Sequence, residues 1–110
     1  MRKISETDWK QFRQLRPLAL ERFCRRVFAE VDSLTAEDGR SSHERYVAVF
    51  QLVQRRDREL ADLFDNPRRS TALLQLTRLR AEELLTEEEL ARFGPEMRGT
   101  VQALLEGRRP

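Results

Sequence analysis

The chain has 110 residues, enough for one domain and not comfortably two. Charged residues make up 36% and apolar ones 39%, against about 25% charge in an ordinary soluble domain. So thin an apolar supply fits helices with a narrow stripe and excludes a two-sided buried sheet, and four glycines and four prolines are too few for the tight turns of an all-β fold.

The net charge is +2, and of the 21 basic residues only Lys3 and Lys10 are not arginine. Arginine pairs bidentately with carboxylates and phosphates, and a GC-rich coding bias gives the same excess. Basic and acidic side chains are interspersed except over 67–82, where Arg68, Arg69, Arg78 and Arg80 stand against one acid, Glu82. The single cysteine, Cys24, forms no internal disulfide and fits a reducing compartment. The first residues carry charge and no apolar core of a signal peptide, and no run approaches the roughly 18 apolar residues of a membrane span. The expected location is cytoplasmic, away from membranes.

Ser5 or Thr7 caps a first helix, with Glu6 and Asp8 at the positive end of its dipole. Trp9, Phe12, Leu15, Ala19 or Leu20, Phe23, Val27, Val31 and Leu34 continue one stripe. Pro17 lies inside it, yet the stripe keeps its phase on both sides, which predicts one kinked helix over 6–35 rather than two. Gly39 turns the following loop. Ser41 and Glu44 form a capping box for a second helix, 42–64. Its apolar stripe reads Tyr46, Phe50, Val53, Leu60 and Phe64, with Asp57 the one charged member. Leu18, Phe28, Leu52 and Leu74 fall off the centres of their stripes.

Asn66 and Pro67 read as the cap and first position of a third helix, 67–83, with Leu73, Leu76 and Leu79 inward. Thr86 and Glu89 make a second capping box for a short helix, 87–92. Gly94-Pro95 opens the last, 95–106, with Met97, Val101, Leu104 and Leu105 inward. The ending, Gly107 to Pro110, is expected to fray. The fold predicted for 1–110 is a single all-α domain: a bundle of four to five helices, two long antiparallel ones covered by three shorter.

The inventory for chemistry is thin. His43 and Cys24 are the only residues of their kinds, so no His/Cys metal cluster exists. The glycines are scattered and form no phosphate loop. Cys24 sits beside Phe23 and Val27 and reads as a small core residue. His43 and Asp57 are 14 residues apart, about 21 Å along a helix, too far to act as acid and base together. Glu87, Glu88 and Glu89 are consecutive and point in different directions. No catalytic, cofactor or metal residue is assigned. Asp57 on an apolar face needs a partner, and the expectation is an ion pair with Arg16 of the first helix, Arg68 and Arg69 being the other candidates.

Two resemblances add to this. Leu76, Leu79, Arg80, Leu85, Thr86 and Glu87 to Glu89 are similar to a short bacterial oligomerisation segment, without its glycine before Leu-Thr and without its basic, leucine-rich ending. RPLALERFC at 16–24, SSHERY at 41–46, RDRELADLFDNPRRS at 56–70 and LLTEEELARFGPE at 84–96 resemble a family of small, uncharacterised bacterial all-helical proteins. That resemblance implies one full-length helical domain and brings no activity or functional residue. The expected role is a non-enzymatic helical interaction domain with a protein partner, its own copy first. The alternative is nucleic-acid binding through Arg68, Arg69, Arg78 and Arg80, weakened because a helix TEEELARF would set three glutamates against phosphates.

Overall fold

The computed structural model describes residues 4–107; the ends at 1–3 and 108–110, which include most of the tail expected to fray, lie outside the described residues. The described chain holds five helices and no strand: α1 Glu6–Thr35, α2 Ser42–Phe64, α3 Ala72–Ala81, α4 Glu87–Leu90 and α5 Pro95–Gly107. The protein is an all-α bundle, elongated at 52 × 28 × 23 Å.

Local chemistry places most of the helix ends. Ser5 Oγ accepts from the Asp8 amide at 3.1 Å and starts α1. Helix α1 then runs unbroken through Pro17. The proline is exposed, so the lost backbone bond lies on the solvent side, where water can replace it. Both capping boxes form, Ser41 with Glu44 and Thr86 with Glu89. The third helix corrects the sequence expectation. Asn66 has φ 50°, the left-handed region, whereas an N-cap is extended. Pro67 therefore does not open a helix. The chain passes through a turn in which the Thr71 amide donates to the Arg68 carbonyl at 3.0 Å, and α3 begins at Ala72. Arg69 anchors this turn on the Ile4 carbonyl at 2.8 Å and on Glu6 at 2.9 Å.

Helices α1 and α2 form an antiparallel hairpin, as cross-links from Arg45 to the Thr35 carbonyl, Arg56 to Glu30 and Arg16 to the Phe64 carbonyl show in order along it. The core lies at one end only. Its cluster includes Phe12, Leu15, Ala19 and Phe23 of α1, Leu63 and Phe64 of α2, and Leu76, Leu79, Leu84, Leu85, Phe93, Met97 and Val101 from the short helices and their turns. Between Cys24 and Asp62 the single buried residue is Leu52. That half of the hairpin projects as two helices without a third layer.

Arginines from neighbouring helices satisfy the carbonyls that helix ends leave open. Arg45 of α2 donates to the Thr35 carbonyl at the end of α1, at 2.7 Å. Arg16 of α1 donates to the Phe64 carbonyl at the end of α2, at 2.6 Å. Arg26 of α1 donates to the Glu82 and Glu83 carbonyls after α3, at 2.5 and 2.6 Å. Neither α1 nor α2 carries a basic residue in its own last turn. The cations that suit the negative helix ends come from across the bundle instead.

The turn after α3 is a Schellman motif. The Leu84 amide reaches the Leu79 carbonyl and the Glu83 amide the Arg80 carbonyl, both at 2.9 Å, with Leu79 and Leu84 buried beside each other in the core. Glu83 holds the left-handed position at φ 58°, where glycine is the usual residue. Arg22 locks the following segment. It donates to both Glu89 carboxylate oxygens, at 2.6 and 2.9 Å, and to the Leu84 carbonyl at 2.9 Å. At the other end of α1, Asp8 accepts from the Gly94 amide at 2.9 Å and holds the start of α5.

Two outcomes follow from these joints. Glu83→Gly removes a side chain from a left-handed position and is expected to stabilise the fold by about 0.5–1 kcal/mol, measured as a rise in the urea unfolding midpoint. The second concerns acid. The hydrogen bonds from Arg22, then the Thr86 amide, hold the Glu89 carboxyl down from 4.5 to about 2, against an opposing effect of burial. A carboxyl whose pKa is lower folded than unfolded stabilises the fold fully above its unfolded pKa, and that contribution is lost as pH falls from about 4.5 toward about 2. Glu89→Gln should lower stability at neutral pH by roughly 2–4 kcal/mol. The gap between wild type and variant should then shrink across that acid window in urea titrations.

Candidate functional site

Helix α2 carries two apolar stripes, and the fold uses one. Val49, Leu52, Leu60 and Leu63 turn toward α1 and the core, with Leu52 only 2% exposed. Tyr46, Phe50 and Val53 are 69%, 54% and 46% exposed. This corrects the register expected from sequence along the projecting half, where Tyr46, Phe50 and Val53 were to face inward and Leu52 to fall to the side; Leu60 and Phe64 of the same expected stripe do pack on the core. The two stripes are one residue apart in number, hence about 100° around the helix. Phe28 of α1, 67% exposed, lies on the same side. It lines a shallow groove between the helices with Val27, Val53, Asp57 and Leu60.

The projecting half of the hairpin is stapled by charge rather than by a thick core. Arg56 binds Glu30 of α1 through two bonds of 2.9 Å and Glu59 of its own helix at 2.8 Å. The Arg56 bonds hold the Glu30 carboxyl below its ordinary value, and Glu30 in turn raises the guanidinium. Leu52 and Arg56 share the inward stripe, so the interhelix ion pair predicted for Asp57 belongs to its neighbour.

Asp57 itself is exposed and forms no ion pair among the described residues. The expected Asp57–Arg16 pair does not form. Arg16 stands level with the end of α2, donates to the Phe64 carbonyl and lies 5.9 Å from the Phe64 ring centroid. Phe64 is seven residues beyond Asp57, about 10 Å along the helix. The four arginines of the basic stretch are not one surface either. Arg69 is held by Ile4 and Glu6, and Arg80 by the Leu85 carbonyl and Glu87. Arg68 and Arg78 are exposed and share a groove with Asp62 and Asp65.

Nothing in the described residues gathers three metal-ligating side chains. Among the described residues no helix is long and apolar enough to cross a membrane. Cys24 is half-buried against the core and His43 is exposed in the first turn of α2. A cavity of about 890 Å³ is an open groove between the end of α3 and α5 lined by Arg80, Glu82, Glu87, Leu90, Arg98 and Leu105 among others. The feature that stands out physically is the exposed apolar face of Phe28, Tyr46, Phe50 and Val53.

Comparison of the chain with protein-family models, with curated proteins and with solved structures gives no match.

The register of α2 makes a direct prediction about stability. Leu52→Ala should cost about 2–4 kcal/mol, as truncation of a buried leucine does. Phe50→Ser should change stability by less than about 0.5 kcal/mol in a monomeric sample. The opposite ranking in chemical unfolding would restore the register expected from sequence.

Proposed function

We propose that the protein is a non-enzymatic helical interaction domain whose working surface is the projecting half of the α1–α2 hairpin. The observation that carries this reading is the exposure of Phe28, Tyr46, Phe50 and Val53 on one side of a two-helix arm. Aromatic residues are enriched at the energetic centres of interfaces because they bury much area with few rotatable bonds. A monomer gains nothing from holding three of them in water on a rigid helix pair.

The arm also has the mechanics of a docking element. The core, with the Arg16 and Arg22 bonds, sits at the far end, so covering the arm requires no rearrangement there. The single cysteine fits a reducing, cytoplasmic setting. The resemblance to small bacterial all-helical proteins belongs to the same proposal.

Photo-crosslinking in cells tests the surface. A photoreactive phenylalanine in place of Phe50 should give a discrete adduct with protein, and the same group in place of exposed Glu88 on α4 should give none. Absence of any adduct at Phe50, or equal labelling from both positions, would remove the arm as the interaction surface.

A further inference from the structure

We infer that the partner of this face is a second copy of the chain, packed antiparallel about a two-fold axis at Phe50, so that His43 of each copy meets Asp57 of the other. The inference rests on the interaction-domain reading above and names its partner.

The spacing is the first argument. His43, Phe50 and Asp57 are seven residues apart in each direction. Seven residues are two helical turns with a drift of about 20°, so the three lie nearly on one line about 21 Å long. A two-fold axis through Phe50 maps that line onto itself. Phe50 then meets its own copy and His43 meets Asp57, with Tyr46 and Val53 flanking the line on one side.

Charge is the second. Asp57 is an exposed carboxylate without an ion-pair partner among the described residues, set at the edge of an apolar groove. Any chain that covers the groove partly dehydrates it, at a cost unless a donor arrives with the cover. His43 is exposed at the opposite end of the stripe and offers a ring N–H in either tautomer. Parallel packing would instead set Asp57 on Asp57, a like-charge contact that acts against it.

Area and architecture agree. Phe28, Tyr46 and Phe50 are each more than half exposed, which leaves roughly 400 Å² of aromatic surface at 150–250 Å² per ring. That is about half of what one partner buries in a standard interface of about 800 Å² per side. Val53, 46% exposed, and the polar side chains around it add to it. Two hairpins laid face to face make a four-helix bundle, which gives the arm the second layer it lacks.

Sedimentation of the full chain from about 1 to 100 μM should show a species of twice 13.0 kDa. Phe50→Glu should raise the dissociation constant at least about 30-fold, the effect of losing a central aromatic anchor. Helix content and the unfolding midpoint of the monomer should persist, and Tyr46→Glu provides a second variant on the same face. Orientation is read by disulfide trapping in a Cys24→Ser background. A mixture of H43C and D57C chains should cross-link, and each chain alone should not, because identical positions then lie about 21 Å apart. Cross-linking of D57C alone as readily as the mixture would overturn the antiparallel arrangement. A mass of 13.0 kDa at every concentration would overturn the second copy as partner. In that case an adduct at Phe50 in cells still supports the arm as an interaction surface, and its absence removes both.

Discussion

One constraint of length shapes this molecule. Helix α1 has 30 residues and is therefore about 45 Å long, whereas α3, α4 and α5 have 10, 4 and 13 residues, about 15, 6 and 20 Å. Three short helices cannot cover a long hairpin along its whole length. They gather over the end where α1 starts and α2 stops, and the aromatic and leucine side chains collect there. The other half keeps only what two helices can offer each other. A thin contact of that kind needs help, and the Arg56–Glu30 bridge, with Leu52 on the same stripe, supplies it. Exposure of the opposite stripe is then a consequence of geometry, since no segment among the described residues is left to reach it.

The arginine excess takes a structural meaning in this setting. Among the described residues, six arginines donate to backbone carbonyls at helix ends or turns: Arg16, Arg22, Arg26, Arg45, Arg69 and Arg80. A guanidinium has five donors in a fixed fork and an apolar stem. It can cross a helix surface, cover apolar atoms and end on a carbonyl that nothing else satisfies. Arg16 does so on Phe64, and Arg22 adds a carboxylate to the same hand. A lysine would deliver a point charge with less fixed geometry. Of the basic stretch, Arg69 and Arg80 are engaged in this way, while Arg68 and Arg78 lie exposed beside Asp62 and Asp65.

Much of the architecture was legible in the residues, and the misses share a cause. Ser41 with Glu44 and Thr86 with Glu89 announce helix starts because the side chains that close the boxes are written in the sequence. The stripe of α1 kept phase across Pro17, and the helix is continuous. The turn after α3 carries no glycine, so Glu83 gives no warning of its left-handed backbone. Carbonyls appear in no sequence pattern, so the reach of Arg16 to Phe64 could not be separated from a reach to Asp57. The Glu89 capping role was readable, but its second partner, Arg22, is 67 residues away.

Helix α2 is the instructive case. Its inward stripe and its outward stripe are both helical in period, and the outward one holds the bulkier rings. Weighing side chains by size therefore favours the wrong face, because the weighting assumes that a helix has one partner. An apolar arc much wider than a single stripe is the signature of a helix buried on more than one side. In α2 the arc is wide through Tyr46, Phe50 and Val53 on one flank and Val49, Leu52 and Leu60 on the other. The fold described above accounts for the second flank. Over the projecting half the first is the part of the pattern that the described helices do not cover, and it ends on a carboxylate with no ion-pair partner among the described residues. A sequence that writes two faces on one helix, and a fold that covers only one along the projecting half, together single out the surface on which the proposed interaction rests.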